Sequence, residues 1–321
     1  MKERIRSIIE QAAQQGTGLL GVGFKDLTTG EEVYLNGDTA FPTASVFKIF
    51  VLCELFRREK EGTFSFEQQH TLLNSEKSIG SGTLEKAEEG TVYSMMDYTM
   101  LMMSISDNTA SDYLFGVTGA EHIRKNIIEP LALTNTKIDL NCAQLLTYHY
   151  DVTIEEYRKI VDAENGRFHR RNGSYFLCQE EKNNQSSPRD MVKLLSLMYE
   201  GKLIDSQRDR KMIDIMLQCQ TNARIPAKLP EGTPVAHKTG SIDHVTNDCG
   251  IVFTGCGDYV LTLFYNGNRG SEEEYEGTEW GTVGNRILAQ LSADIYNAYT
   301  QSKSPSGGIV LCVSTDLSSI W

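Results

Sequence analysis

The sequence holds no CxxC pair, no HxH or HExxH pattern and no long apolar run. Its seven cysteines (53, 142, 178, 219, 249, 256 and 312) are odd in number and scattered. They read as buried or free thiols, not as a disulfide framework. The six histidines (70, 122, 149, 169, 237 and 244) lack ligand spacing, so no metal and no cofactor is expected. Positive charge is also short. Lys and Arg number 31 against 43 Asp and Glu, a net charge of −12. A nucleic-acid binder needs a basic face to neutralise phosphates, so nucleic acid is excluded as an expected partner, as is an anionic membrane surface. The apolar run Ile49–Cys53 is closed by Lys48 and Glu54, far short of the roughly 20 residues a membrane span requires. Met1-Lys2-Glu3-Arg4 opens an amphipathic pattern instead of an apolar signal core. The expected location is periplasmic or secreted if a leader was removed, and cytoplasmic otherwise.

What is present is an ordinary globular composition: 321 residues, 40% apolar and 23% charged, enough for one large domain or two of common size. Ile5, Ile8, Ile9 and Ala12 fall on one helical face, ending near Gly16. Leu20, Val22 and Phe24 alternate with Gly21, Gly23 and Lys25, which predicts a strand, and Glu32–Leu35 a second one. A helix is expected from about Ser45 to Glu59, apolar all round at 47–53 and so buried on every side. Ser187 offers a cap, Pro188 a first helical residue and Gly201 a stop. Another helix is expected from Asp205 to Gln218. Strands 249–253 and 259–265 flank a Gly-rich turn, and Leu288, Leu291 and Ile295 mark a last helix.

Strands thus open and close the chain, and helices fill the middle. The expected fold is α+β, with an antiparallel sheet built from both chain ends, flanked by helices and interrupted by an inserted all-helical subdomain. The expected division is 1–44 with 190–300, against 45–189, the latter carrying a long loop at 140–186. Ser302–Gly308 is linker-like, and 301–321 is a tail that reads equally as an added strand or as a loosely held end.

Three short patterns stand in order. Ser45-Val46-Phe47-Lys48 is the chain's one S-x-x-K, Ser106-Asp107-Asn108 its one S-D-N, and Lys238-Thr239-Gly240 its one K-T-G. A serine three residues before a lysine on a helix shares its face. A serine hydroxyl attacks only when a base takes its proton, and a helix N-terminus favours a developing anion. Taken singly, Ser45 also reads as a helix cap, Lys48 as a solvated side chain, Ser106 as a cap before 108–114, and Lys238-Thr239-Gly240 as a strand end. A solvated Lys48 is hard to place on so apolar a helix.

These motifs resemble those of the penicillin-recognising serine enzymes, and their surroundings resemble class A β-lactamases. The resembling stretches are 41–48, 106–110 and 229–240, joined by Asn247-Asp248-Cys249-Gly250 and by Gly80-Ser81-Gly82. The resemblance covers about residues 1–300 and implies a β-lactamase/transpeptidase-like fold. It implies Ser45 as the acylated nucleophile, Lys48 as its base or relay, and Ser106 as proton shuttle to the leaving nitrogen. It implies Asn108 on the substrate's side-chain amide, and Lys238 with Thr239 and Gly240 along the substrate. The N–H groups of Ser45 and Ser241 would form an oxyanion hole. Arg224 matches the place of a carboxylate-binding arginine and reads equally as a surface arginine. The implied function is that of a monomeric serine β-lactamase acting on a small β-lactam; the alternatives are a D-Ala-D-Ala carboxypeptidase or esterase, and a lactam or peptide sensor.

One class A element is missing. The E-x-x-L-N glutamate that serves the hydrolytic water is not found after Thr136-Lys137-Ile138-Asp139; Leu140-Asn141-Cys142 follows instead. The stretch beyond holds Glu155, Glu156, Glu164, Glu180 and Glu181. Glu155 or Glu156 is the first choice as a substitute base, against the alternative of a solvated acidic surface.

Overall fold

The computed structural model describes residues 1–150, 152, 153, 155, 156, 159, 183–242, 245–267 and 282–303. In chain order its helices are α1 (Lys2–Ala12), α2 (Lys48–Lys60), α3 (Met95–Ser104), α4 (Asn108–Thr118), α5 (Ala120–Ile123), α6 (Cys142–Tyr150), α7 (Pro188–Tyr199), α8 (Ser206–Met216) and α9 (Thr282–Lys303). Its main strands are β1 (Leu19–Asp26), β2 (Glu32–Leu35), β3 (Phe41–Pro42), β4 (Gln69–Thr71), β5 (Val92–Ser94), β6 (Gln185–Ser186), β7 (Val235–Ile242), β8 (Val245–Val252) and β9 (Tyr259–Asn266). The chain divides into two compact units, Met1–Val46 with Ser186–Trp321, and Phe47–Gln185.

The first unit is built on a five-stranded antiparallel sheet in the order β2-β1-β9-β8-β7. The alternation in β1 explains its two faces. Leu20, Val22 and Phe24 enter a core with Ile5 and Ile9 of α1 and Leu288, Leu291 and Ile295 of α9. On the opposite face Gly23 lets helix α7 approach. A Cβ on Gly23 would stand 2.7 Å from Val192 Cγ2 and 2.9 Å from the Pro188 carbonyl, so only a glycine fits under that helix. The Thr262 hydroxyl of β9 donates to the same carbonyl at 3.2 Å. Ser187 caps α7 through the Asp190 amide, with Pro188 in the first turn. Gly201, just past the helix, has φ +68°. Helix α9 runs through Ser302 and Lys303, the first two residues of the stretch whose composition is linker-like. Lys303 bonds Asp26 at 2.8 Å, an ion pair inside the fold that extends the helix. Residues 304–321 lie outside the described residues.

Among the described residues, the second unit is built of helices and turns with the short antiparallel β4–β5 pair. Every residue of α2 from Lys48 to Phe56 is buried, as an all-round apolar helix requires. Its one buried acid, Glu54, is bridged by Arg57 at 2.7 Å and by Arg58 at 3.0 Å. Burial works against the Glu54 carboxylate, but these hydrogen bonds and charges outweigh it and hold its pKa down. Among the described residues, no helix is long and apolar enough to cross a membrane.

Candidate active site

The S-x-x-K motif crosses the division between the units, so its two ends are described separately. In the first unit, Ala44–Phe47 forms a 3-10 turn that leads into α2. Ser45 lies inside this turn and is not a side-chain cap: the cap position of α2 is Phe47, without a capping side chain. Ala44 is held at φ +43°, a region costly for any residue with a Cβ.

What holds this turn is the K-T-G strand. A Cβ on Gly240 would stand 2.4 Å from the Thr43 carbonyl and 3.1 Å from the amide nitrogens of Ser45 and Val46. The glycine therefore permits backbone-to-backbone packing beside the nucleophile candidate. Gly240 pairs with Asn247 across β7 and β8. The Asn247 amide donates to the carbonyls of Pro42 (2.7 Å) and Thr43 (3.1 Å). Lys238 is fully buried, and its ammonium donates to the Thr239 carbonyl at 2.9 Å.

Arg224 is 2% exposed, which overturns its reading as a surface arginine. Its Nε donates to Asn285 Oδ1 at 2.8 Å, and Nη1 to the carbonyls of Gly240 (3.1 Å) and Asn247 (2.6 Å). Nη2 donates to the Ser241 hydroxyl. The guanidinium thus ties β7, β8 and α9 together and fixes the Ser241 side chain. Burial pulls its pKa down to about 10, against the charge of Asp248.

In the second unit, Lys48 is buried and makes three hydrogen bonds. Its Nζ donates to the Ser106 carbonyl (2.8 Å), the Ser106 hydroxyl oxygen (3.1 Å) and Asn108 Oδ1 (3.0 Å). Because Lys48 donates to Ser106 Oγ, the hydroxyl keeps its own proton to give elsewhere. Ser106 stands at φ +60°, and Asp107, not Ser106, caps α4 through the Ala110 amide. The other Asp107 oxygen takes the amides of Thr83 (2.6 Å) and Leu84 (2.9 Å). Asn108 is oriented from both ends: Nδ2 donates to the Ile79 carbonyl at 2.9 Å, and Ser81 Oγ reaches Oδ1 at 3.3 Å. Ser81 also donates to the Ser106 carbonyl at 2.7 Å. The Gly80-Ser81-Gly82 loop therefore braces the S-D-N segment, a role its sequence does not announce.

Asp112 was not singled out from sequence. One turn after Asn108 on α4, it accepts from Ser78 Oγ (2.6 Å) and from the amides of Cys142 (2.6 Å) and Ala143 (3.0 Å). It anchors the start of α6, and burial raises its carboxyl pKa despite those bonds. The available signal was its i+4 spacing from Asn108.

Glu155 and Glu156 are both exposed. Glu155 pairs with Lys159 at 2.7 Å, and Glu156 accepts from the Thr153 amide and hydroxyl. Glu164, Glu180 and Glu181 lie outside the described residues. No group of three His, Cys, Asp or Glu side chains among the described residues could hold a metal ion. None of the described cysteines forms a disulfide.

An α+β fold whose sheet comes from both chain ends, carrying these three motifs in this order, is that of a penicillin-recognising serine hydrolase. The chain belongs to the β-lactamase enzyme family, whose model matches residues 1–299. It is similar to β-lactamase VEB-1 of Pseudomonas aeruginosa, 22% identical over 302 residues that cover 91% of this chain and 89% of that one. It is 24% identical to the extended-spectrum β-lactamase PER-1 of Pseudomonas aeruginosa over 308 residues, 92% of this chain and 86% of the relative. The solved structure of PBP-A has the same fold, with a TM-score of 0.73 and 23% identity, covering 94% of this chain and 97% of that one.

Proposed function

We propose that this protein hydrolyses the amide of β-lactams through an acyl-serine intermediate on Ser45. The observation that carries the reading is the buried Lys48, bonded to both Ser106 and Asn108 within one unit. In the proposed reaction Ser45 Oγ attacks the lactam carbonyl and gives its proton to Lys48. Lys48 passes a proton to Ser106 Oγ along their 3.1 Å contact, and Ser106 delivers its own to the departing ring nitrogen. The C–N bond breaks and an ester on Ser45 remains. Water then attacks the ester, the acid leaves, and Ser45 recovers its proton. The amides of Ser45 and Ser241 hold the oxyanion, each worth about 3 kcal/mol. Asn108 takes the substrate's side-chain amide. Lys238 and Thr239 take its carboxylate beside Gly240, with Arg224 fixing the Ser241 hydroxyl. All the motif residues lie in one chain, which supports action as a monomer; sedimentation would check it.

A second reading is favoured by one observation. The described glutamates Glu155 and Glu156 are exposed and locally engaged, so no evident base for deacylation stands among the described residues of that stretch. A penicillin-binding D-Ala-D-Ala carboxypeptidase with slow deacylation fits this. An intact-mass time course with a penicillin separates the two. A short-lived adduct with hydrolysed drug is the result expected of a β-lactamase, and an adduct lasting hours favours the carboxypeptidase. Neither adduct nor hydrolysed drug, or an adduct that persists in Ser45→Ala, sinks both.

A further inference from the structure

Within the second unit the exposed Ser81 bonds the same oxygens as the buried Lys48. Ser81 Oγ donates to the Ser106 carbonyl at 2.7 Å and faces Asn108 Oδ1 at 3.3 Å. Lys48 Nζ donates to both, at 2.8 and 3.0 Å, and to the Ser106 hydroxyl at 3.1 Å. The Ser81 hydroxyl is not what seats its loop. The Ser81 carbonyl accepts the Asn108 amide at 2.8 Å, and the Ile79 carbonyl accepts Asn108 Nδ2 at 2.9 Å. The Thr83 and Leu84 amides donate to Asp107. Gly82, at φ +117°, lets the chain close on that carboxylate, since a Cβ there would stand 2.2 Å from Asp107 Oδ2. Backbone bonds thus hold the loop, and the hydroxyl is left over for another task.

We propose that Ser81 is a positioning residue that supplies the donor lost when Lys48 is neutral, an inference that rests on the acyl-serine reading. The Lys48 ammonium carries three protons for three acceptors. To take the Ser45 proton, Lys48 must first be an amine with two protons and a lone pair. One acceptor then loses its donor, and a buried acceptor left without one is costly. Two of the three acceptors are the oxygens that Ser81 faces. A hydroxyl proton rotates to suit its partner, so Ser81 turns it to whichever of the Ser106 carbonyl and Asn108 Oδ1 is released. Once the Ser45 proton arrives, Lys48 serves all three again. Ser81 gains and loses no proton, and Ser106 and Asn108 keep their places through the exchange.

The test is a single turnover of a chromogenic cephalosporin with the protein in excess, so that the colour change reads ring opening and not deacylation. In Ser81→Ala the limiting rate of ring opening is expected to fall about tenfold, the equivalent of one ordinary hydrogen bond. The protein concentration at half saturation and the urea midpoint should keep their wild-type values, because the backbone bonds of the loop are retained. Ser81→Thr keeps a hydroxyl and should restore the rate. Three results overturn the role of Ser81 and leave the acyl-serine reading standing. They are an unchanged limiting rate in Ser81→Ala, a fall accompanied by a shift in half saturation or urea midpoint, and a Ser81→Thr protein as slow as Ser81→Ala. No ring opening in the wild type overturns both.

Discussion

The two units hold their share of the motifs by different means. In the second unit, side chains do the holding: Lys48, Ser106, Asn108 and Ser81 are joined by hydrogen bonds between 2.7 and 3.3 Å. In the first unit it is backbone that is held, by close packing and by side chains that grip carbonyls. Gly240 presses against the turn of Ser45, and Asn247 and Arg224 grip carbonyls on either side. Side-chain networks tolerate the loss of a member with local damage. Packed backbone does not, because one added carbon must displace a whole strand.

The sharpest way to test that contrast is to alter one residue on each side. Lys48→Met keeps the volume and apolar stem but removes the proton carrier. Hydrolysis of a chromogenic cephalosporin should fall by about 10²–10⁴-fold. Stability should drop by less than about 2 kcal/mol, since Ser81 still bonds the Ser106 carbonyl. Urea unfolding alongside the kinetics checks both. Gly240→Ala should lose stability together with activity. Its Cβ meets the Thr43 carbonyl at 2.4 Å, so the midpoint of unfolding should fall, by about 1–3 kcal/mol, with activity lost because the Ser45 turn is displaced. Equal stability in both variants would break the comparison.

The smallest expected effect concerns pH. Burial would lower the His237 pKa, but Asp248 outweighs it and raises it from 6.5 to about 10. A raised folded pKa means the ion pair contributes its full stability below about 6.5 and loses it as pH climbs through about 10. Tm measured from pH 6 to 10 should decline for the wild type, and that part of the slope should vanish in Asp248→Asn. An unchanged slope would mean that the pair does not titrate as a unit with folding.

Much of this was legible in the residues. The β1 alternation, the all-round apolar α2 and the Ser187-Pro188 start of α7 each carry a strong local signal, because periodicity and caps act over a few residues. The three motifs were legible for the same reason. The caps within them were not. Ser106 and Ser45 look like N-caps, but Asp107 caps α4 and Ser45 sits in a 3-10 turn. One residue of offset is invisible when Ser and Asp both suit the role. The last helix also ran past Ser302, because the bond from Lys303 to Asp26 spans nearly the whole chain.

By itself, the sequence determined the family and the α+β class, and it named the residues proposed for acyl-serine chemistry. Those follow from residue type and short spacing. Only the tertiary structure decided what Arg224, Ser81, Asp112 and His237 do, because their partners lie far along the chain. Arg224 reads equally as a carboxylate-binding or a surface arginine until Gly240 and Asn247 are seen on its guanidinium. Long-range packing makes such neighbours, and no local pattern encodes them.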